Sequence, residues 1–312
     1  MHNIPIIDIA ALGSDDPAAR RAVAALIGSA CREVGFFVVT GHGVAPTLIA
    51  DTFAASAAFF AQPDAAKRAL AIGRLGHNRG YVGTGIEALD EKSGADDKEA
   101  FNLIWTDGLT RPANVWPDLS GFQAVVQRCF DTLLEVGRKL HSAFALDLGL
   151  EEDFFADKID RPQATLRLLH YPGPRAEAPA GQIGAGEHTD YGNVTLLATD
   201  GVAGLQVRRR DGTWVDAPAL EDAFICNIGD CLMRWTNDVY KSTLHRVIEP
   251  VGRDRYSIAF FLDANPEAKV EVLETCYGPD HPKKYEPITA ADYLASRFAQ
   301  TYGFGKKETP TW

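Results

Sequence analysis

At 312 residues the chain is long enough to bury a large core and sits near the upper limit for one compact unit. Its formal charge of −11 argues against a generic binder of nucleic acid or anionic membrane, and five scattered cysteines with no Cys-x-x-Cys pair argue against a zinc knuckle or dithiol redox motif. The start of the chain lacks a basic segment followed by a long apolar one, and no apolar run would span a bilayer, so a cytoplasmic protein with reduced thiols is expected. In chain order, residues 4–8 form a short apolar segment suited to an edge strand. Asp16-Pro17 supplies a cap and a first-turn proline for a helix over 18–34, which Gly35 ends before a β-branched and aromatic strand over 36–40. Helices are expected at 46–60 and 64–72, and residues 73–98, rich in glycine and charge, read as one long loop with the character of a lid. Val126, Phe130, Leu133, Leu140 and Phe144 recur at helical spacing and predict a scaffold helix over 120–148.

From Ala164 the texture changes to short strands, expected at 165–171, 194–199, 204–208, 213–217, 223–228, 243–249 and 256–262. Turns such as Arg210-Asp211-Gly212 split them, and a helix over 290–301 packs back on the body. Many short strands with brief turns predict a sandwich or barrel, and a double-sheet jelly roll fits. The fold class expected is therefore mainly β with flanking helices.

The β-rich half carries Gly186-Glu187-His188-Thr189-Asp190-Tyr191-Gly192. His188 and Asp190 are two positions apart, so on an extended strand both side chains leave the same face. His245, in Ser242-Thr243-Leu244-His245-Arg246-Val247, would add a second imidazole from a neighbouring strand. Two histidines and one carboxylate, with open positions opposite, are the ligand set of non-haem Fe(II) oxygenases, whereas zinc sites more often add a third nitrogen or sulfur. Taken singly, His188 would pass for a surface residue, Asp190 for a turn former and His245 for a core histidine. Ten residues on, Arg255 and Ser257 put a guanidinium and a hydroxyl on one strand face, a pair suited to gripping a carboxylate.

The ordered set of His-x-Asp, distant histidine and Arg-x-Ser resembles the isopenicillin N synthase-like branch of the Fe(II)/2-oxoglutarate-dependent oxygenases. The resemblance covers most of the chain. Ile4-Pro5-Ile6-Ile7-Asp8 and the run from Val34 to Val44 look like that family's N-terminal region. It implies an N-terminal oxygenase region over 1–118 and a double-stranded β-helix (jelly-roll) catalytic domain over 119–312, packed as one unit. It further implies Fe(II) on His188, Asp190 and His245, with O2 as co-reactant. 2-Oxoglutarate would be held by Arg255, Ser257 and Tyr171. A small-molecule substrate would be contacted by Arg79, Tyr81, Phe101 and Asn102, and oxidised by hydroxylation, desaturation or ring closure with release of succinate and CO2. His42, in a Gly-His-Gly turn, and Gly229-Asp230 read as structural, and His170 should face away from Tyr171 across its strand. Two alternatives stay open: an iron oxidase of the same fold that needs no 2-oxoglutarate, and a non-catalytic jelly-roll binding protein.

Overall fold

Two sheets face one another in the computed structural model, which describes residues 4–86, 98–173, 183–248 and 253–302. The N-terminal part contributes β1 (Ile6–Asp8), α1 (Pro17–Glu33), β2 (Phe36–Thr40), α2 (Pro46–Phe60), α3 (Asp64–Ala69), α4 (Ile72–Leu75), β3 (Gly80–Val82) and β4 (Glu99–Ile104). After α5 (Phe122–Asp147) come β5 (Gln163–Tyr171), β6 (Ile183–His188), β7 (Val194–Thr199), β8 (Leu205–Arg208), β9 (Trp214–Asp216) and β10 (Phe224–Ile228). The chain continues with α6 (Asp230–Trp235), β11 (His245–Ile248), β12 (Arg255–Asp263), β13 (Lys269–Val270), β14 (Ile288–Thr289) and α7 (Ala290–Tyr302). The larger sheet runs β1-β2-β10-β7-β12-β5-β4-β3 and the smaller β6-β11-β8-β9, the two layers of a jelly roll.

Local chemistry accounts for the main elements. Asp16 caps α1 by accepting from the Ala18 amide at 2.9 Å, and Val23, Ala24, Ile27 and Cys31 form its buried stripe. Gly35 then turns the chain at φ 74°, where a Cβ would stand 2.2 Å from the Lys241 carbonyl oxygen. The apolar stripe of α5 lies on the outer face of the larger sheet, with Phe130 edge-on to Phe260 at 5.3 Å. Period-two alternation does the sorting within that sheet. Ala164, Leu166 and Leu168 of β5 and Ile258, Phe260 and Leu262 of β12 join the core. The intervening Thr165, Arg167, Leu169 and Tyr171, with Ser257, Ala259, Phe261 and Asp263, face a cavity between the sheets.

The larger sheet crosses the boundary expected near residue 118, because β2 pairs with β10 and β4 pairs with β5. The expected uninterrupted loop over 73–98 is corrected: α4 and β3 occupy part of it, and residues 87–97 lie outside the described residues. Pairing of Gly80, Tyr81 and Val82 with Asn102, Phe101 and Ala100 makes β3, a non-local cause that composition does not reveal. The same holds for β4. None of the described helices is long and apolar enough to cross a membrane, and all five cysteines are buried and unpaired.

A buried polar cluster behind the cavity wall ties β3, β4, β5 and α3 together. Glu99 accepts from Lys67 at 2.8 Å and Tyr81 at 2.6 Å, and the His170 ring stands 2.8 Å from its other oxygen. Burial alone would raise the Glu99 carboxyl, but the hydrogen bonds from His170, Lys67 and Tyr81 and the charge of Lys67 outweigh it and hold it at about 2. A depressed carboxyl stabilises the fold above its unfolded value of 4.5, and that contribution is lost as pH falls from there towards 2. Glu99→Gln is therefore expected to cost about 3–5 kcal/mol at neutral pH by stranding buried Lys67. Denaturant unfolding should show the wild-type advantage shrinking between pH 5 and 3; equal stability at neutral pH would contradict the role.

Candidate active site

The bottom of the cavity is built where the smaller sheet meets the loop after β6. His188 is the last residue of β6 and His245 the first of β11, and the two are register partners. Asp190 is not on the strand, as the i, i+2 argument required, but two residues beyond its end. It reaches the same point because the following loop is clamped. The Asp230 amide donates to the Asp190 carbonyl at 2.8 Å, and the Gly229 amide to the Asn193 carbonyl at 2.9 Å. Gly229 is obligatory in this crossing, where its neighbour is backbone. A Cβ on Gly229 would lie 2.3 Å from the Gly192 carbonyl oxygen, and one on Gly192 would overlap the Asp263 carboxylate.

His188 Nε2 stands 3.9 Å and His245 Nε2 3.6 Å from Asp190 Oδ1, and one ligand atom from each of the three lies within 4.8 Å of the others. Each imidazole is oriented by its own backbone. His188 Nδ1 donates to the Gly186 carbonyl at 2.7 Å, and His245 Nδ1 to the Thr243 carbonyl at 3.1 Å. That tautomer leaves both Nε2 lone pairs for a metal. Burial and the adjacent His245 hold His188 well below the ordinary imidazole range, which favours the neutral ligand that a metal requires. Burial opposes ionisation of Asp190, yet the two imidazoles and hydrogen bonds from Asn227 and Thr195 keep its carboxyl below the ordinary value. The donor set fits Fe(II).

Asn227 and Thr195 are site residues that the motifs did not reveal. Asn227 Nδ2 donates to Asp190 Oδ2 at 2.7 Å and the Thr195 hydroxyl does so at 2.5 Å, leaving Oδ1 turned to the imidazoles. The available signal was one amide inside the apolar strand Phe224-Ile225-Cys226-Asn227-Ile228, where a buried polar group needs a partner. Asn227→Ala is expected to weaken metal binding about 10–100-fold, the usual cost of losing a group that orients a ligand. Metal titration of the purified variant checks this, and unchanged affinity would remove Asn227 from the site.

On the cavity wall β12 presents Arg255 and Ser257 beside Tyr171 of β5. Arg255 pairs in register with Tyr171, and its guanidinium lies 4.9 Å from the centre of the Tyr171 ring. Arg255 Nε donates to the Val202 carbonyl at 3.3 Å, but Arg255 Nη1 and the Ser257 hydroxyl are buried with no hydrogen-bond partner among the described residues. Unsatisfied buried donors beside a cation are costly unless an anion completes them. A dicarboxylate such as 2-oxoglutarate fits that requirement.

The four residues expected at the substrate divide. Arg79 lines the cavity. Asn102 does not; its Nδ2 donates to the Asn78 carbonyl and side-chain oxygens at 3.2 Å, holding the segment that carries Arg79. Phe101 is corrected to a core residue, 4.7 Å from Phe59 and 5.5 Å from Phe122 between ring centres. Tyr81 is corrected likewise, its hydroxyl turned to Glu99. In β3 and β4 these two rings pair in register, so their face of the sheet is the helix-covered one. His170 points away from the cavity and stacks on Tyr256 at 4.6 Å. His42 accepts from the Val44 amide and donates to the Asp222 carbonyl, a structural pattern. Sequence reasoning also missed Asn78, Arg111, Thr165, Arg167 and Leu294 on the cavity wall, and Asp263, which burial pushes up to about 7.

Comparison with known proteins adds independent findings. Residues 4–119 match the family described as non-haem dioxygenase in morphine synthesis N-terminal, and residues 162–264 match the 2OG-Fe(II) oxygenase superfamily. The 2-oxoglutarate-Fe(II) type oxidoreductase hxnY of Emericella nidulans is 35% identical, over 96% of this chain and 90% of its own length. Homoarginine-6-hydroxylase 2-ODD-233 of Oryza sativa is 33% identical, over 94% of this chain and 96% of its own. The crystal structure of a full-length Neurospora crassa protein in complex with alpha-KG and thymine superposes with a TM-score of 0.88. It is 34% identical and covers 96% of this chain and 97% of the other.

Proposed function

The chain belongs to the 2OG-Fe(II) oxygenase superfamily and is an Fe(II)- and 2-oxoglutarate-dependent dioxygenase, and we propose that it hydroxylates a C–H bond of a small organic substrate. The observation that supports this reading is the sharing of one cavity of about 290 Å3 by the His188–Asp190–His245 face and the unsatisfied donors of Arg255 and Ser257. Iron and 2-oxoglutarate together supply the oxidising power: one atom of O2 leaves in succinate as CO2 is released, and the other enters the substrate.

The chain's own groups do the rest. His188, His245 and Asp190 Oδ1 would hold the metal on the cavity wall and keep it next to the bound organic molecules. Arg255 and Ser257 take the distal carboxylate of 2-oxoglutarate and thereby fix which end reaches the metal. Leu197, Leu205, Val247, Ala259 and Phe261 line the space between and limit water around the reacting centre. The protein reconstituted with Fe(II) and 2-oxoglutarate, and supplied aerobically with a library of small metabolites, is expected to release succinate in proportion to a product that has gained one oxygen atom. Turnover that yields a desaturated or cyclised product instead would overturn hydroxylation, and product formation without succinate would overturn the coupling.

A further inference from the structure

Arg79 is a buried cation with no counter-ion among the described residues. It is 1% exposed, the same as Arg255, and among the described residues no carboxylate pairs with it. Arginine is almost never this buried unless paired. Its Nη2 donates to the Trp105 carbonyl at 3.3 Å, and its Nε meets no acceptor. Burial lowers its pKa, and Arg111, a neighbouring cation, lowers it further. Arg111 itself is provided for: it donates to the carbonyls of Pro162 and Arg161 and stacks 4.6 Å over the Trp105 ring. Among the described residues Arg79 is thus, with Arg255, a wall guanidinium that no carboxylate pairs.

Its placement separates it from the cosubstrate anchor. Gly80, next to Arg79, lies in a register row running Gly80–Asn102–Arg167–Ala259–Leu197 across five strands, and the last three members line the cavity. Arg255 is four residues along β12 from Ala259, about 13 Å at the rise of a strand. Among the described residues the cavity wall therefore carries Arg79 and Arg255 at different levels, neither paired with a carboxylate. Asn102, by holding Asn78, is the positioning residue for Arg79. Resting on the oxygenase reading above, we infer that Arg79 is the anchor of the primary substrate, and that this substrate carries a carboxylate. Arg255 takes the carboxylate of 2-oxoglutarate; Arg79 takes that of the molecule to be oxidised. An ion pair formed only on binding gives the site its selectivity, because a neutral analogue leaves the buried cation unpaired.

The test uses full-length protein loaded with redox-inert Zn(II) and saturated with 2-oxoglutarate, so that no turnover occurs and Arg255 is occupied. Calorimetric titration compares benzoate, phenylacetate and hexanoate with benzamide, phenylacetamide and hexanamide. The wild type is expected to favour acids over their amides by roughly tenfold or more, the scale of one charge-assisted contact. Arg79→Met should abolish the preference and Arg79→Lys keep part of it. 2-Oxoglutarate affinity, titrated separately, should stay within about twofold in both variants, a loss well short of one charge-assisted contact. Failure of the wild type to bind 2-oxoglutarate would instead refute the oxygenase reading, so the two failures are distinct. Ligand-free Arg79→Met should be at least as heat-stable as wild type, since it removes a buried charge without a partner. No acid-over-amide preference in the wild type overturns the inference. So does a less stable Arg79→Met that retains the preference, which would make Arg79 a structural prop.

Discussion

Asp190→Ala should leave a folded protein that neither retains Fe(II) nor turns over, with activity at least about a thousandfold down, or some 4 kcal/mol in barrier. The size follows from the composition of the site. Asp190 is the sole anion among the three ligands, and its Oδ1 is shared by both imidazole contacts at 3.6 and 3.9 Å. Two neutral imidazoles alone bind a ferrous ion weakly, and nothing else in the described cluster can replace the carboxylate. Asp190→Asn is the matched control. It preserves shape but offers a neutral amide, and it should lose nearly as much. Metal content after gel filtration and succinate release together read the effect; an alanine variant with full metal content and normal turnover would refute the assignment.

Arg255→Gln should act on a different quantity. The variant keeps the metal but binds 2-oxoglutarate about 100-fold more weakly, close to 3 kcal/mol for a buried charge-assisted pair. Arg255 is 1% exposed, and its Nη1 has no acceptor among the described residues, so that donor is left for the ligand. Lysine should not restore it fully, because a point charge cannot make the two parallel bonds of the guanidinium fork. Ser257→Ala should cost less, about tenfold, since it removes one neutral hydroxyl contact. The KM for 2-oxoglutarate is the readout, and an unchanged value in Arg255→Gln would put the cosubstrate elsewhere.

Much of this architecture was legible because local chemistry and global fold agree. β2, β7, α2 and the buried stripe of α5 follow from apolar periodicity, caps and glycines. The grouping of His188 with His245 was legible because a metal site needs particular residue types at particular spacings. What escaped has a common cause: it is made by contacts distant in sequence. β3 exists through pairing with β4, and Tyr81 and Phe101 turned out to face α2 and α5 because that pairing fixes which side of the sheet they occupy. Asp190 left the strand geometrically but kept its place through the clamp at Gly229 and Asp230. Asn227 and Thr195 orient Asp190 from two other strands, and no spacing rule links them to it. The missing counter-ion of Arg79 is likewise visible only once its neighbours are in place.

The central claim is that one cavity couples a metal on His188, Asp190 and His245 to a dicarboxylate anchored at Arg255. It is tested most directly by titrating 2-oxoglutarate anaerobically into the protein with and without Fe(II). Binding should tighten markedly when iron is present in the wild type, lose that enhancement in Asp190→Ala, and be weak under both conditions in Arg255→Gln. Equal 2-oxoglutarate affinity with and without Fe(II) in the wild type would contradict it.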